Sequence, residues 1–68
     1  MDGELRLRSG STFRCRIRDL SRDGALVALA QAGKLPKRFF LKIGASEPRE
    51  IVVACRNEGE VGVTFLDV

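Results

Sequence analysis

Hydrophobic and polar residues alternate along much of the chain with a period of two. The clearest segment runs from Thr12 to Leu20, where apolar residues are separated by arginines at every second position. Successive side chains of a strand point to opposite faces, so this period predicts a half-buried strand with a basic outer face. The alternation slips at Asp19-Leu20, which predicts a β-bulge or the onset of a turn there.

Further segments have the length and composition of strands. Residues 25–29 form a continuous apolar run, and residues 38–43, 50–56 and 61–65 are rich in β-branched or aromatic residues. Residues 4–8 are a candidate for an additional first strand. The side chains expected on inner faces are Leu5, Leu7, Phe13, Cys15, Ile17, Val27, Leu29, Phe39, Leu41, Ile43, Val61, Val63 and Phe65.

Turn residues separate these segments. Asp23-Gly24 favours a hairpin, because glycine accepts the positive φ that such turns require. Glycine and proline mark loops at residues 30–37 and 44–49, and an Asn-Glu-Gly sequence marks a tight turn at 57–60. Five or six short strands at a spacing of about 8–12 residues predict an all-β fold, a small antiparallel β-barrel.

The chain has 68 residues, which predicts a single domain, 1–68. Within it, residues 1–10 are either a short N-terminal arm or a first strand, and residues 11–68 form the barrel. No apolar run approaches the roughly 20 residues of a membrane helix, and the first residues do not have the pattern of a signal peptide. We therefore expect a cytoplasmic protein without membrane insertion.

The charge pattern bears on the ligand. The net charge is +3, and nine of the twelve basic residues are arginines, five of them between Arg6 and Arg18. Arginine binds phosphate through a planar two-pronged donor set, so an anionic ligand near the N-terminal third is one interpretation. A solvated strand face is the other.

The two cysteines, Cys15 and Cys55, lie on separate predicted strands. There is no secretory signal, no histidine and no C-x-x-C spacing, so we expect neither a disulfide nor a metal site. Both cysteines are predicted to be small buried core residues. Without histidine or an activated cysteine, and with no cofactor motif, we do not expect an enzyme.

The turn itself carries Asp19, Ser21 and Gly24 at the spacing D-x-S-x-x-G. With the stretches 35–41 and 52–67, it resembles the PilZ family, small β-barrels that serve bacteria as receptors for cyclic di-GMP. The resemblance covers residues 11–68. It implies a second-messenger signalling domain that binds cyclic di-GMP at this turn, or a degenerate, adaptor-type member that acts through a partner protein.

The second ligand motif of that family, R-x-x-x-R, lies in a segment before the first strand. Only eighteen residues precede Asp19, so we expect that segment to be missing or shortened here. Arg14 and Arg18 have this spacing, but they lie inside a predicted strand and do not take over the family role. The further residues considered for phosphate or base contacts are Arg6, Arg8, Arg18 and Arg22.

The turn residues have a chemical and a structural interpretation. Asp19 can accept hydrogen bonds from the N1–H and N2–H₂ groups of guanine, Ser21 can bond a base or phosphate, and Gly24 lets the backbone approach a planar base. Alternatively, Asp19 and Ser21 cap the turn through side-chain hydrogen bonds while Gly24 supplies a positive φ. The mechanism expected for a receptor is ordering of the arginine-rich N-terminal segment against the turn.

Two other functions stay open. A small basic nucleic-acid-binding β-barrel is suggested by the arginines, although Phe40 is the only aromatic residue expected outside the core. A ligand-free protein-interaction module would pair through strand edges or through a patch around Phe40 and Leu41. We expect a monomer or a weak homodimer.

Overall fold

The computed structural model describes residues 1–30 and 32–66 of the chain. Six antiparallel strands close into a barrel, which confirms the predicted all-β fold. The strands are β1 (Asp2–Arg6), β2 (Thr12–Leu20), β3 (Gly24–Ala28), β4 (Arg38–Ile43), β5 (Arg49–Arg56) and β6 (Glu60–Phe65). A short 3₁₀ helix, Ala32–Lys34, occupies the loop between β3 and β4. Gln31 of this predicted loop and Asp67 after the last strand lie outside the described residues.

The strand order around the barrel is β1-β2-β3-β6-β5-β4, and β4 pairs with β1 to close it. β1 is therefore a barrel strand with hydrogen-bonded neighbours on both sides, not an arm. It begins at Asp2 and ends at Arg6, two residues earlier than the pattern predicts. A turn follows, in which Gly10 has φ of 97° and donates a hydrogen bond to the Leu7 carbonyl (2.9 Å).

The core follows the predicted alternation. Leu5, Val27, Leu41, Ile51 and Val61 are fully buried, and the predicted inner aromatic residues pack with them. Burial of each such aliphatic side chain stabilises the fold by about 1.5–3 kcal/mol. At one end of the barrel the Arg49 guanidinium lies 3.7 Å from the centroid of the Phe65 ring and covers it. No helix in the described part of the chain is long and apolar enough to cross a membrane.

The prediction that both cysteines are buried is wrong for Cys55. Cys15 is buried, whereas Cys55 is exposed, and both thiols are free. The cause is a register shift in β5 between Val53 and Cys55, which moves Cys55 to the outer face opposite Gly62. A side chain at Gly62 would place its Cβ 2.7 Å from the Cys55 Sγ, so the missing side chain makes room for this thiol.

Candidate ligand site at the turn between β2 and β3

The side chain of Asp19 reaches the barrel surface because of a second register shift. β2 shifts between Ile17 and Asp19, so that Ile17 lies opposite the buried Val27 and Asp19 lies opposite Leu26 on the outer face. Without the extra residue, Asp19 would share the inward face of Ile17. The predicted β-bulge is present, but it precedes Asp19 and does not lie at Asp19-Leu20, and its consequence is an outward carboxylate.

Ser21 has a structural role in this turn. Its backbone N–H donates to the Gly24 carbonyl oxygen (2.8 Å), and its hydroxyl donates to the same oxygen (3.1 Å). The Gly24 N–H in turn donates to the Ser21 Oγ (3.2 Å). The side chain thus closes the hairpin in the manner of a serine turn, as the structural interpretation predicts for this residue.

Gly24 also has a structural role, but not the predicted one. Among the described residues, the glycines with positive φ are Gly10 and Gly44, so the expectation of a positive φ at Gly24 is wrong. Glycine is needed here because β3 and β6 approach closely. A Cβ at this position would overlap the backbone carbonyl oxygen of Val63.

Asp19 differs from these two residues, because the turn does not use its carboxylate. Within residues 1–30 and 32–66 it accepts no hydrogen bond and forms no ion pair. The prediction of an Asp19 cap is therefore wrong, while the Ser21 cap is present. The carboxylate keeps its full capacity to accept hydrogen bonds from a ligand.

An open depression of about 320 Å³ lies beside Asp19 on the outer face of β2, β3 and β6. This volume is at the lower end of the range for small-molecule sites. The residues that line it are Asp19, Ser21, Asp23, Gly24, Ala25, Leu26, Val63 and Thr64. The Phe65 N–H donates to the Asp23 carbonyl (2.8 Å) and ties the turn to β6.

Two of the four arginines predicted to contact a ligand lie within three residues of Asp19 in the sequence. Arg18 precedes it, with a side chain that is 60% exposed and a terminal nitrogen 3.7 Å from the Glu60 Oε2. Arg22 is an exposed residue of the turn itself. Both arginines are thus close to Asp19 in the sequence, but neither is among the residues that line the depression.

Arg6 and Arg8 lie elsewhere. Arg6 pairs with Thr12 at the far end of β2, and the seven residues from Thr12 to Asp19 span about 23 Å. Arg6 bonds Glu4 (2.8 Å) and holds the pKa of that carboxyl below its usual value. Because β1 is fixed on both sides, ordering of an N-terminal arm against the turn does not fit this structure.

The sequence pattern does not predict that residues of β6 line the depression. Val63 and Thr64 are some forty residues from the turn, and only the pairing of β3 with β6 brings them there. The partner of Arg18, Glu60, comes from the same strand. Pairing between distant strands depends on the closed topology and not on local composition.

A second depression, of about 410 Å³, lies near the start of β1 and is lined by Asp2, Gly3, Glu4, Arg14, Cys15 and Gly44. Burial raises the pKa of the Cys15 thiol to about 11, so this thiol is protonated near neutral pH and is a poor nucleophile. Across the described ranges, no three His, Cys, Asp or Glu side chains are grouped so that they could hold a metal ion.

Comparison of the chain with protein-family models, with curated proteins and with solved structures gives no match. A functional conclusion therefore depends on the chemistry of the turn and its depression.

Proposed function

We propose that this chain is a PilZ-type signalling domain that binds cyclic di-GMP weakly at the turn between β2 and β3. The observation that supports the proposal most is the Asp19 carboxylate. The bulge directs it outward, it has no partner among the described residues, and it borders an open depression of about 320 Å³.

Asp19 would recognise the guanine base. The N1–H and N2–H₂ groups of guanine are adjacent donors on one edge, and a carboxylate offers two acceptor oxygens with matching geometry. Hydrogen bonds to a charged acceptor contribute about 1.5–3 kcal/mol net. The half-buried Leu26, which faces the same depression, offers an apolar surface for the face of the base.

Arg18 and Arg22 would bind the phosphates. The contact of Arg18 with Glu60 is an exposed pair at 3.7 Å, and such pairs contribute about 0–1 kcal/mol. A phosphate can therefore replace Glu60 at little cost. With Arg18 and Arg22 as the phosphate contacts, we expect a dissociation constant of about 0.1–1 mM.

Binding would change the surface charge at the barrel end that contains the turn. The ligand would cover two guanidinium groups and add two phosphate charges beside Leu20, whose side chain is 42% exposed. The Met1 carbonyl accepts a hydrogen bond from the Ile17 N–H at this same end (2.7 Å), and Met1 is also exposed. A partner protein that contacts this apolar and charged end would distinguish the free and bound states.

Calorimetric titration with cyclic di-GMP and cyclic di-AMP tests the proposal. Both ligands carry the same phosphate ring, but adenine does not present the adjacent N1–H and N2–H₂ donors. We expect saturable binding of cyclic di-GMP and at least about tenfold weaker binding of cyclic di-AMP. Equal affinities would show that the site reads phosphate alone, and no heat with either ligand would contradict the proposed function.

A further inference from the structure

A second surface lies on the opposite side of the barrel from the turn. β4 is three strands away from β3 in either direction around the six-stranded ring. On its outer face Phe40 is 36% exposed, whereas Phe39 and Phe65 are buried and Phe13 is partly buried against the core. Phe40 is thus the aromatic ring that the described part of the chain presents to solvent.

Basic residues surround this ring. Arg38 and Lys42 flank Phe40 on the same face of β4, each about 6.6 Å away along the strand. Arg6 lies directly opposite Phe40 on β1. Its ion pair with Glu4 uses only the Nε–H group. A guanidinium has five N–H donors, so four of them stay available to a phosphate.

The face has a positive charge surplus. Arg14 lies opposite Glu4 on β2 and adds a fourth cation to Arg6, Arg38 and Lys42. The carboxylates next to the ring are Glu4 and Glu50, the latter opposite Phe40 on β5. Asp2 shares the outer face of β1 and lies opposite Arg16 on β2. With this pair included, five cations against three carboxylates leave a surplus of two positive charges on the face.

We infer that this face binds single-stranded nucleic acid, with one base stacked on Phe40 and the backbone phosphates on the surrounding cations. Sequence-tolerant single-strand sites combine a positive surface with aromatic rings, because every base has a π face that can stack. A partner of opposite charge that also carries flat rings matches both features of the face. An acidic protein segment would match the charge only.

Fluorescence polarisation with fluorescein-labelled dT₁₂ and U₁₂ at 25 mM NaCl tests this inference. We expect saturable binding that weakens with salt, with a logarithmic slope near −2 for about three phosphates. Phe40→Ala should weaken binding by about 5- to 100-fold, and Phe40→Trp should retain it. Arg38→Gln should reduce the slope by about 0.7.

Leu20→Ala is the matched control. It removes an exposed apolar side chain at the end of β2, next to the turn, and should leave oligonucleotide binding unchanged. Absence of binding at 25 mM NaCl, or equal binding by Phe40→Ala, would overturn the inference. Binding of labelled polyglutamate with the same dependence on Phe40 would overturn it in favour of an acidic protein. Phe40→Ala should still bind cyclic di-GMP, so the two proposals fail separately.

Discussion

Replacement of Gly24 by alanine should destabilise the barrel by about 2–4 kcal/mol. The new Cβ would overlap the Val63 carbonyl oxygen, which belongs to the backbone of a paired strand and cannot rotate away. The strands must then separate where Gly24 lies opposite Thr64. For a domain of this size the melting temperature should fall by roughly 10–30 °C, which thermal unfolding followed by circular dichroism would measure.

Gly33→Ala is the matched control for this substitution. Apart from its chain neighbours and the backbone of its own 3₁₀ turn, no atom of the described residues lies within 4 Å of a Cβ built at Gly33, and its φ is not positive. Alanine there reduces the freedom of the unfolded chain, so we expect a change of less than about 1 kcal/mol, if anything stabilising. Equal losses in the two variants would contradict the close approach of β3 and β6 as the reason for Gly24.

Replacement of Asp19 by alanine should weaken cyclic di-GMP binding by about 10- to 150-fold. The same variant should unfold within about 0.5 kcal/mol of the parent, because no described residue depends on this carboxylate. Binding by calorimetry and unfolding by urea, measured on the same preparation, separate the two effects.

In contrast to Asp19→Ala, Ser21→Ala should lower the stability of the barrel. It removes both side-chain hydrogen bonds that close the turn, so the barrel should lose about 1–2 kcal/mol of stability. Asp23→Ala removes the neighbouring carboxylate that also lines the depression. If Asp23→Ala loses binding and Asp19→Ala does not, then Asp23 recognises the guanine, and the role that we propose for Asp19 is wrong.

The hydrophobic period alone predicts most of the barrel. It gives the inner faces and the slip in β2, because a polar residue, Asp19, marks the point where the alternation fails. The similar slip in β5 has no such mark, since Val52, Val53 and Ala54 are all apolar. The sequence pattern therefore predicts that Cys55 continues the inner face of β5, whereas in the structure it lies on the outer face.

The site is predictable only where it is local. Asp19, Ser21 and Gly24 meet because one hairpin contains them, and their grouping needs no knowledge of the topology. The overlap between a side chain at Gly24 and Val63 depends on the pairing of distant strands. The distance of Arg6 from the turn likewise depends on the direction of β1, which runs away from Asp19.

An amide-resolved NMR titration of ¹⁵N-labelled protein with cyclic di-GMP tests directly whether the ligand binds at the turn between β2 and β3. We expect saturable shift changes at residues 18–26 and 62–64, with the amides of Arg6 and Phe40 unchanged. Unchanged spectra at millimolar ligand would contradict this expectation. Shift changes centred on β1 and β4 would also contradict it, because they would place the ligand on the opposite side of the barrel.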